Sequence, residues 1–450
     1  MKKIILTAIC IALPLLACSQ TLTGSWFGKL SIGKNNLAIV FNIGDDGSCS
    51  MDSPDQNVKG IPAQLAADSL GLCKISVPSI GASYQGVMIG RKLVGSFVQA
   101  GRKFDLTLSP GKPAESRPQT PIPPFNYKRE EVSFANENGN AILSGTLTYP
   151  VGYGEVRSGS IPVVLMVTGS GQQNRDEEIF GHKPFLVIAD YLAKRGIASL
   201  RYDDRGVGGS SGDASESTII DNMNDALAGI DFLRSKKIFG KVGILGHSEG
   251  GCISFMAGSR GKVDFAISLA GPGVRGDSVL TEQNRKALIL EGTPKKICDG
   301  YCKALKEVLA YKMGHGAVSN PDEVVDFIVA ETKTSLPDKL VQNLSTILSM
   351  KNPWLNYFIS FDPQKDISEI KCPVFALNGD LDSQVPSKSN LYAIRSLLPD
   401  DSRNKVKEYP GLNHLFQHCK SGSVSEYNKI EETISPEVLE DISDWIDSLH

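Results

Sequence analysis

The sequence predicts an α/β fold, a mostly parallel sheet with helices on both faces, preceded by a small antiparallel β-meander or barrel. Short runs of alternating polar and apolar residues recur up to about residue 110. A proline-rich stretch follows, and beyond it apolar strand-like runs alternate with helical patterns, as in parallel sheets. One of these apolar runs ends in a serine between glycines, directly before a helical pattern.

The N-terminus, MKKIILTAICIALPLLACSQ, has a basic start, an apolar centre and small residues. Its apolar stretch is too short to span a bilayer comfortably, so we predict a cleaved export signal over residues 1–17. The run LLAC resembles a bacterial lipobox, and we predict that Cys18 is the lipid-attachment residue of a periplasmic or outer-membrane lipoprotein. Cleavage a few residues later would instead leave a soluble secreted protein.

Residues 18–110 are the predicted N-terminal β-domain. Alternating runs separated by glycine, asparagine and aspartate predict its strands: SWFGKLSI, NLAIVFNI, YQGVMIG, LVGSFVQ and FDLTLS. Residues 111–125, GKPAESRPQTPIPPF, are rich in proline and have no periodicity. We predict that they form an extended linker.

Residues 126–450 are the predicted α/β domain. Its clearest strands are the apolar runs IPVVLMVTG, IASLRYD, KVGILGH, VDFAISLAG and CPVFALNG. Between about 274 and 365 no strand is evident and four runs have helical spacing. We predict a helical lid there, over the C-terminal edge of the sheet, where such folds place their sites.

Composition excludes some classes of protein. The net charge of −3 over 450 residues, with no basic stripe, argues against a nucleic-acid partner. The nine cysteines have neither the spacing of a small disulfide scaffold nor that of a zinc site.

Ser248, in the run GHSEG, is the predicted nucleophile. The apolar strand KVGIL precedes it, and small and apolar residues typical of a tightly packed helix follow it. A serine on such a strand-to-helix turn is exposed, and the helix N-terminus beneath it favours developing negative charge. The run GHSEG has the pattern GxSxG. A second match to this pattern, GGSSG around Ser210, follows the polar run RYDDRGVG and is predicted to be a loop.

A nucleophilic serine needs a base and a carboxylate that orients the base. His414 and His418 lie in the loop GLNHLFQHC, after the last predicted strand, and His414 is preferred because it follows the turn closely. Asp382 is the preferred carboxylate and Asp380 the reserve, both in LNGDLDSQVP. The order serine, aspartate, histidine is the one that α/β hydrolases use.

The tetrahedral oxyanion needs two backbone N–H donors. Glu249, directly after the nucleophile, is the first predicted donor. The second is predicted in the loop TGSG after VVLMV, with Ser170 preferred and Gly169 in reserve. The run NRD at 174–176 follows at once and is predicted to brace this loop.

Six segments resemble the bacterial α/β-hydrolase family of serine esterases: VTGSGQQNRDEE, RYDDRGVGGSSG, GHSEGG, NPWLNYFISFDP, LNGDLDSQVP and GLNHLFQ. This family is often grouped with serine aminopeptidase-like hydrolases and includes dienelactone-hydrolase-like members. The resemblance spans roughly residues 125–450 and implies an α/β-hydrolase fold. It also implies a triad of Ser248, Asp382 and His414, with Ser170 and Glu249 as the oxyanion hole. One departure is the loop GSGQQNRD, where relatives often carry proline.

These observations predict a serine carboxylesterase that hydrolyses small to medium esters through an acyl-enzyme, without a metal or organic cofactor. A peptidase on the same triad is the nearest alternative. It would need a lid carboxylate to hold the substrate's amine, and Glu291, Glu307 and Glu323 are available. An inactive surface protein that binds glycan or lipid is a further alternative.

Overall fold

The computed structural model describes most of the chain, namely residues 22–32, 35–56, 58–67, 72–111, 117–155, 159–315, 325–326, 330 and 336–449. The chain divides into two compact units, residues 1–115 and 116–450, which are described separately. The predicted export signal and Cys18 lie outside the described residues.

The first unit is a closed antiparallel barrel. Its strands are β1 (Gly24–Ile32), β2 (Asn35–Ile43), β3 (Cys49–Ser53), β4 (Val58–Ala67), β5 (Leu72–Val77), β6 (Ala82–Ile89), β7 (Lys92–Gln99) and β8 (Arg102–Pro110). Each strand pairs with the next, and β8 closes the barrel against β1. Phe41, Tyr84 and Phe97 are almost fully buried, so side chains fill the interior.

The predicted antiparallel β-domain is therefore confirmed, although sequence patterning missed β3, β4 and β5. Strand β3 is only five residues long. Strand β4 contains Gly60 and Pro62 and is largely exposed, a composition typical of loops. Their pairing is fixed by closure of the barrel, which a local pattern does not report.

The second unit contains a mixed sheet. Its strands are β9 (Arg129–Asn136), β10 (Ala141–Thr148), β11 (Ile161–Val167), β12 (Ala198–Tyr202), β13 (Phe239–His247), β14 (Phe265–Leu269), β15 (Val374–Gly379) and β16 (Lys405–Tyr409). The strand order is β16-β15-β14-β13-β11-β12-β10-β9. Strand β10 pairs antiparallel with both β9 and β12, and all the other neighbouring strands of this sheet pair in parallel.

Helices alternate with the parallel strands. They are α1 (Pro184–Lys194), α2 (Ile219–Ser235), α3 (Glu249–Ser259), α4 (Gly276–Leu290), α5 (Lys295–Lys312), α6 (Asp338–Ser349), α7 (Pro353–Ser360), α8 (Gln364–Ser368), α9 (Ser387–Leu397) and α10 (Pro436–Asp447). The structure thus has the predicted α/β-hydrolase fold. No helix of the described residues is long and apolar enough to span a membrane.

Two hydrophobic cores cover the two faces of this sheet. Val163 and Leu165 of β11 belong to the core that contains α2, α3 and α9, whereas Val164 and Met166 belong to the core that contains α1 and α10. Successive side chains of a strand point to opposite faces, so the continuous apolar run of β11 buries both.

Helices α4 to α7, called here the insertion helices, follow β14 and build a core of their own. Its fully buried members include Tyr301, Leu305, Leu309, Leu344 and Ile359. These helices lie within the interval in which the sequence predicts a lid.

Candidate active site

Ser248 occupies a sharp turn between β13 and α3. Its backbone has φ 54° and ψ −116°, an uncommon conformation for a residue other than glycine. The N–H of Ser248 donates to the carbonyl oxygen of Leu269 at 2.8 Å, which ties the turn to β14. The turn is therefore a strained strand-to-helix elbow of the kind that exposes a nucleophile.

The two glycines of GHSEG are required by close backbone contacts. A Cβ atom on Gly250 would lie 2.2 Å from the carbonyl oxygen of Val167. A Cβ atom on Gly246 would lie 1.8 Å from the carbonyl oxygen of Gly250. The elbow therefore packs backbone against backbone, and only glycine fits at these two positions.

Asp382 and His414 form a buried hydrogen-bonded pair. The Nδ1 atom of His414 lies 2.7 Å from Oδ2 of Asp382, and the two residues are only 4% and 1% exposed. The other oxygen, Oδ1, accepts the backbone N–H groups of Gln384 at 2.7 Å and Val385 at 2.8 Å. The carboxylate is thereby fixed and can orient the imidazole and stabilise its positive charge.

The loop that carries His414 lies beside the elbow. Nε2 of His247, the residue before Ser248, donates to the carbonyl oxygen of His414 at 2.9 Å. The rings of His247 and His414 are 4.7 Å apart between centroids. Among the described residues, no hydrogen bond joins the Ser248 hydroxyl to the His414 ring. In enzymes without substrate such bonds are often long and shorten when substrate binds.

The reserve candidates have other partners. His418 is exposed and hydrogen-bonds to Glu432. Asp380 accepts the N–H of Gly411 at 2.7 Å, so its carboxylate closes a turn. Ser210 lies in a loop, where its hydroxyl donates to the carbonyl oxygen of Asp203 at 2.6 Å.

The predicted oxyanion donors are found beside the nucleophile. Ser170 and Glu249 line one cavity together with Ser248. Glu249 is the first residue of α3, where a backbone N–H has no partner within the helix. The N–H of Gly169 already donates to Oε1 of Glu177 at 2.9 Å, which leaves Ser170 as the candidate in this loop.

Arg175 anchors the loop that follows Ser170, in the segment predicted to brace it. Its guanidinium donates to both carboxylate oxygens of Asp203, at 3.1 and 2.8 Å. It also donates to the hydroxyl of Thr146, at 2.8 Å, and of Ser144, at 3.0 Å. This bidentate ion pair fixes the loop to β10 and to the end of β12.

Asp204 holds the same loop through two further hydrogen bonds. Its carboxylate accepts the hydroxyl of Thr168 at 2.7 Å and the N–H of Gln173 at 2.9 Å. Burial raises the pKa of Asp204 to about 7, with a smaller contribution from the nearby carboxylates of Glu177 and Glu249.

Sequence reasoning missed Glu177 and the role of His247. The two side chains are buried, and Nδ1 of His247 lies 2.9 Å from Oε1 of Glu177. Neither residue stands in a pattern that links them, because 70 residues separate them along the chain. The only sequence signal is a glutamate close behind the oxyanion loop.

The cavity at Ser248 has a volume of about 60 Å³. Its apolar wall comes from β-sheet loops and insertion helices: Pro272, Val279, Leu280, Trp354, Phe358 and Val385. Its polar lining includes Glu249, Gln283 and Gln384. Burial raises the pKa of Glu249, against the opposing effect of hydrogen bonds from Asn222 and Trp354. The described residues contain no cluster of three or more His, Cys, Asp or Glu side chains that could hold a metal ion.

The sheet with its strand order and the elbow between β13 and α3 are those of an α/β-hydrolase fold. The family model for serine aminopeptidase, S33, matches residues 183–310, which include the elbow. Esterase EstD of Thermotoga maritima is 24% identical over 330 residues, covering 72% of this chain and 69% of EstD. The predicted resemblance to bacterial esterases of this fold is thus confirmed.

Two solved structures are also similar. Est1E from Butyrivibrio proteoclasticus is 16% identical, with a TM-score of 0.41, over 70% of this chain and 98% of Est1E. The Pyrococcus furiosus esterase Pf2001 is 15% identical, with a TM-score of 0.43, over 72% of this chain and 91% of that protein.

Proposed function

We propose that this protein is a serine carboxylesterase that hydrolyses small to medium carboxylic esters through an acyl-enzyme intermediate. The observation that carries this proposal is the buried hydrogen bond that Nδ1 of His414 donates to Asp382, held beside the elbow of Ser248. The similarity to Esterase EstD supports an ester substrate.

In the first step, Nε2 of His414 accepts the proton of Ser248 as the serine oxygen attacks the ester carbonyl. The N–H groups of Ser170 and Glu249 stabilise the oxyanion. His414 then gives its proton to the leaving alcohol. Asp382 accepts the hydrogen bond from Nδ1 throughout, which selects the productive tautomer and stabilises the imidazolium.

In the second step, water attacks the acyl-enzyme, and His414 accepts its proton by the same route. The acid is released and the Ser248 hydroxyl is restored. No metal or organic cofactor takes part in either step.

The size of the cavity favours substrates with a small group next to the reacting carbonyl. Its volume of about 60 Å³ accommodates a short acyl or alkyl chain, and the walls of Val279, Leu280 and Phe358 favour an apolar one. Larger substituents must extend out of the cavity, towards solvent.

The peptidase alternative has less support. Glu291 and Glu307 are exposed and do not line the cavity, and Glu323 lies outside the described residues. Turnover of p-nitrophenyl acetate and butyrate, compared with amino-acyl anilides, tests the choice. Preference for the anilides would overturn the esterase proposal. Failure of a fluorophosphonate to label Ser248 would favour the inactive binding protein.

We further propose that the protein is exported and lipidated on Cys18, as the sequence predicts. Labelling of cells with a tagged fatty acid should mark the wild-type chain and leave Cys18→Ser unlabelled. Equal labelling of both chains would place the lipid elsewhere, and labelling of neither would favour soluble secretion.

A further inference from the structure

The side chains of Glu177 and His247 connect three loops around Ser248. Oε1 of Glu177 accepts the N–H of Gly169 at 2.9 Å and lies 2.9 Å from Nδ1 of His247. Nε2 of His247 donates to the carbonyl oxygen of His414 at 2.9 Å. The chain of contacts therefore runs from the oxyanion loop through the elbow to the histidine loop.

The partners of His247 favour a charged ring. A backbone carbonyl only accepts, so Nε2 must carry a proton. Nδ1 faces a carboxylate oxygen, and an imidazolium that donates at both nitrogens satisfies the two bonds together. Burial alone would lower the pKa of His247, but the carboxylate of Glu177 holds it above its ordinary value.

The carboxylate of Glu177 has no other described partner that could replace these bonds. Its second oxygen, Oε2, is buried and makes no hydrogen bond within the described part of the chain. Both bonds to the site thus converge on Oε1. The residue itself has φ 52°, so its backbone adopts an uncommon conformation while presenting this oxygen.

We propose that Glu177 and His247 are positioning residues, a buried ion pair that fixes the oxyanion loop and the His414 loop relative to Ser248. This inference rests on the esterase function proposed above. Neither side chain touches the reacting atoms; each acts through a backbone group of a residue that does, or of its neighbour. A misplacement of 1 Å at such a site lowers the rate about 100-fold.

Glu177→Gln removes the negative charge of the carboxylate. We expect this change to break one of the two hydrogen bonds through which His247 connects the loops. The amide oxygen still accepts two hydrogen bonds, but the His247 ring becomes neutral and has one N–H instead of two. It therefore donates either to position 177 or to His414, and one loop is released. His247→Gln has the same consequence, because its amide cannot reach both acceptors.

The experiment measures kcat and KM for p-nitrophenyl butyrate, with active sites titrated by a fluorophosphonate. We expect Glu177→Gln and His247→Gln each to lower kcat per titrated site about 10- to 100-fold, with KM within about threefold of the wild type. The double variant should lose little more than either single variant, since both break one unit. Glu177→Asp keeps the charge but is too short to reach both partners, and it serves if the Gln variant does not fold.

Asp225→Asn is the matched control. Asp225 is as buried as Glu177, at 3% side-chain exposure each, and pairs with Arg205. Asp225 lies on α2, and its side-chain partners are Asn136 on β9 and Arg205; none of these residues belongs to the loops that carry Ser248, Asp382 or His414. The control should lose stability while kcat per titrated site stays unchanged.

The outcomes separate the two proposals. Wild-type protein that neither hydrolyses the ester nor reacts with the fluorophosphonate would overturn the esterase function itself. An active wild type, with kcat of the Glu177 and His247 variants within about twofold of it, would overturn the positioning pair alone. A similar fall of kcat in Asp225→Asn would also overturn it, since general loosening would then explain the effect.

Discussion

The indole N–H of Trp354, on the insertion helix α7, donates to the carboxylate of Glu249, the residue directly after Ser248. The other oxygen of that carboxylate accepts the side-chain amide of Asn222 on α2, at 2.9 Å. Trp354 also stacks on Phe358, with ring centroids 5.0 Å apart. One buried carboxylate therefore links the elbow to α2 and to α7, the insertion helix that lines the cavity with Trp354 and Phe358.

Trp354→Phe keeps an aromatic ring but removes the hydrogen bond to Glu249. We expect KM for p-nitrophenyl butyrate to rise about three- to tenfold with a smaller change in kcat, because the cavity wall loosens while the triad is untouched. Steady-state kinetics check this. Trp445→Phe is the control. It removes the hydrogen bond from Trp445, on α10, to the carbonyl oxygen of Arg403 and should leave KM unchanged. An equal rise of KM in both would contradict a local role for Trp354.

Ser248→Ala should lower kcat by about 10⁴-fold or more, because no other group supplies the nucleophile. The loss is measured with p-nitrophenyl butyrate, and circular dichroism confirms that the fold persists. Ser210→Ala is the control, since that serine lies in the second GxSxG match but in a loop. Full activity of Ser248→Ala, or comparable loss in Ser210→Ala, would reject the assignment.

Asp382→Asn should lower kcat about 10³- to 10⁴-fold, because an amide in place of the carboxylate favours the wrong tautomer of His414. The neighbouring Asp380→Asn should retain activity within about threefold, since within the described part of the chain that carboxylate accepts only the N–H of Gly411. Parallel kinetics on the two variants test the choice between these aspartates. A larger loss in Asp380→Asn would reverse it.

Asp204 predicts a dependence of stability on pH. Its pKa is about 7 in the folded protein and 3.8 when exposed, so between pH 4 and 7 the folded state holds a proton that the unfolded state lacks. The stability that this group contributes is therefore fully present below about pH 4 and is lost as the pH rises from there through about 7. The whole effect is about 4 kcal/mol.

Asp204→Asn imitates the protonated form, because its amide can donate to Thr168 and accept from Gln173. Urea unfolding at several pH values should show the variant gaining on the wild type as pH rises from about 4 to about 7. A constant difference between the two proteins across this range would contradict the raised pKa.

Two glycines of α3 make a matched pair. Gly250→Ala should destabilise the protein by about 3 kcal/mol, because its Cβ would meet the carbonyl oxygen of Val167 at 2.2 Å. Gly258→Ala should change stability by less than about 1 kcal/mol, since its nearest neighbour, Sγ of Cys372, is 3.4 Å away. Urea unfolding measures both. Equal effects would show that the elbow tolerates a side chain.

Much of the fold follows from local patterns. Strand β11 and the elbow strand β13 were predictable because a strand buried on both faces is apolar throughout. Helix α2 was predictable from its periodicity, and Thr218 and Asp221 form its capping box. Strands β4 and β5 were missed, because their alternation is weak and only pairing within the barrel stabilises them.

The sequence by itself determined the elbow, since a strand, a glycine-flanked serine and a helix are adjacent along the chain. It also reduced the base and the carboxylate to two histidines and two aspartates, through their place after strands. Only the tertiary structure paired Asp382 with His414, gave Asp380 and His418 other partners, and joined Glu177 to His247. The physical reason is range: hydrogen bonds act over about 3 Å in space, and residues far apart in sequence reach that distance only when the whole sheet has formed.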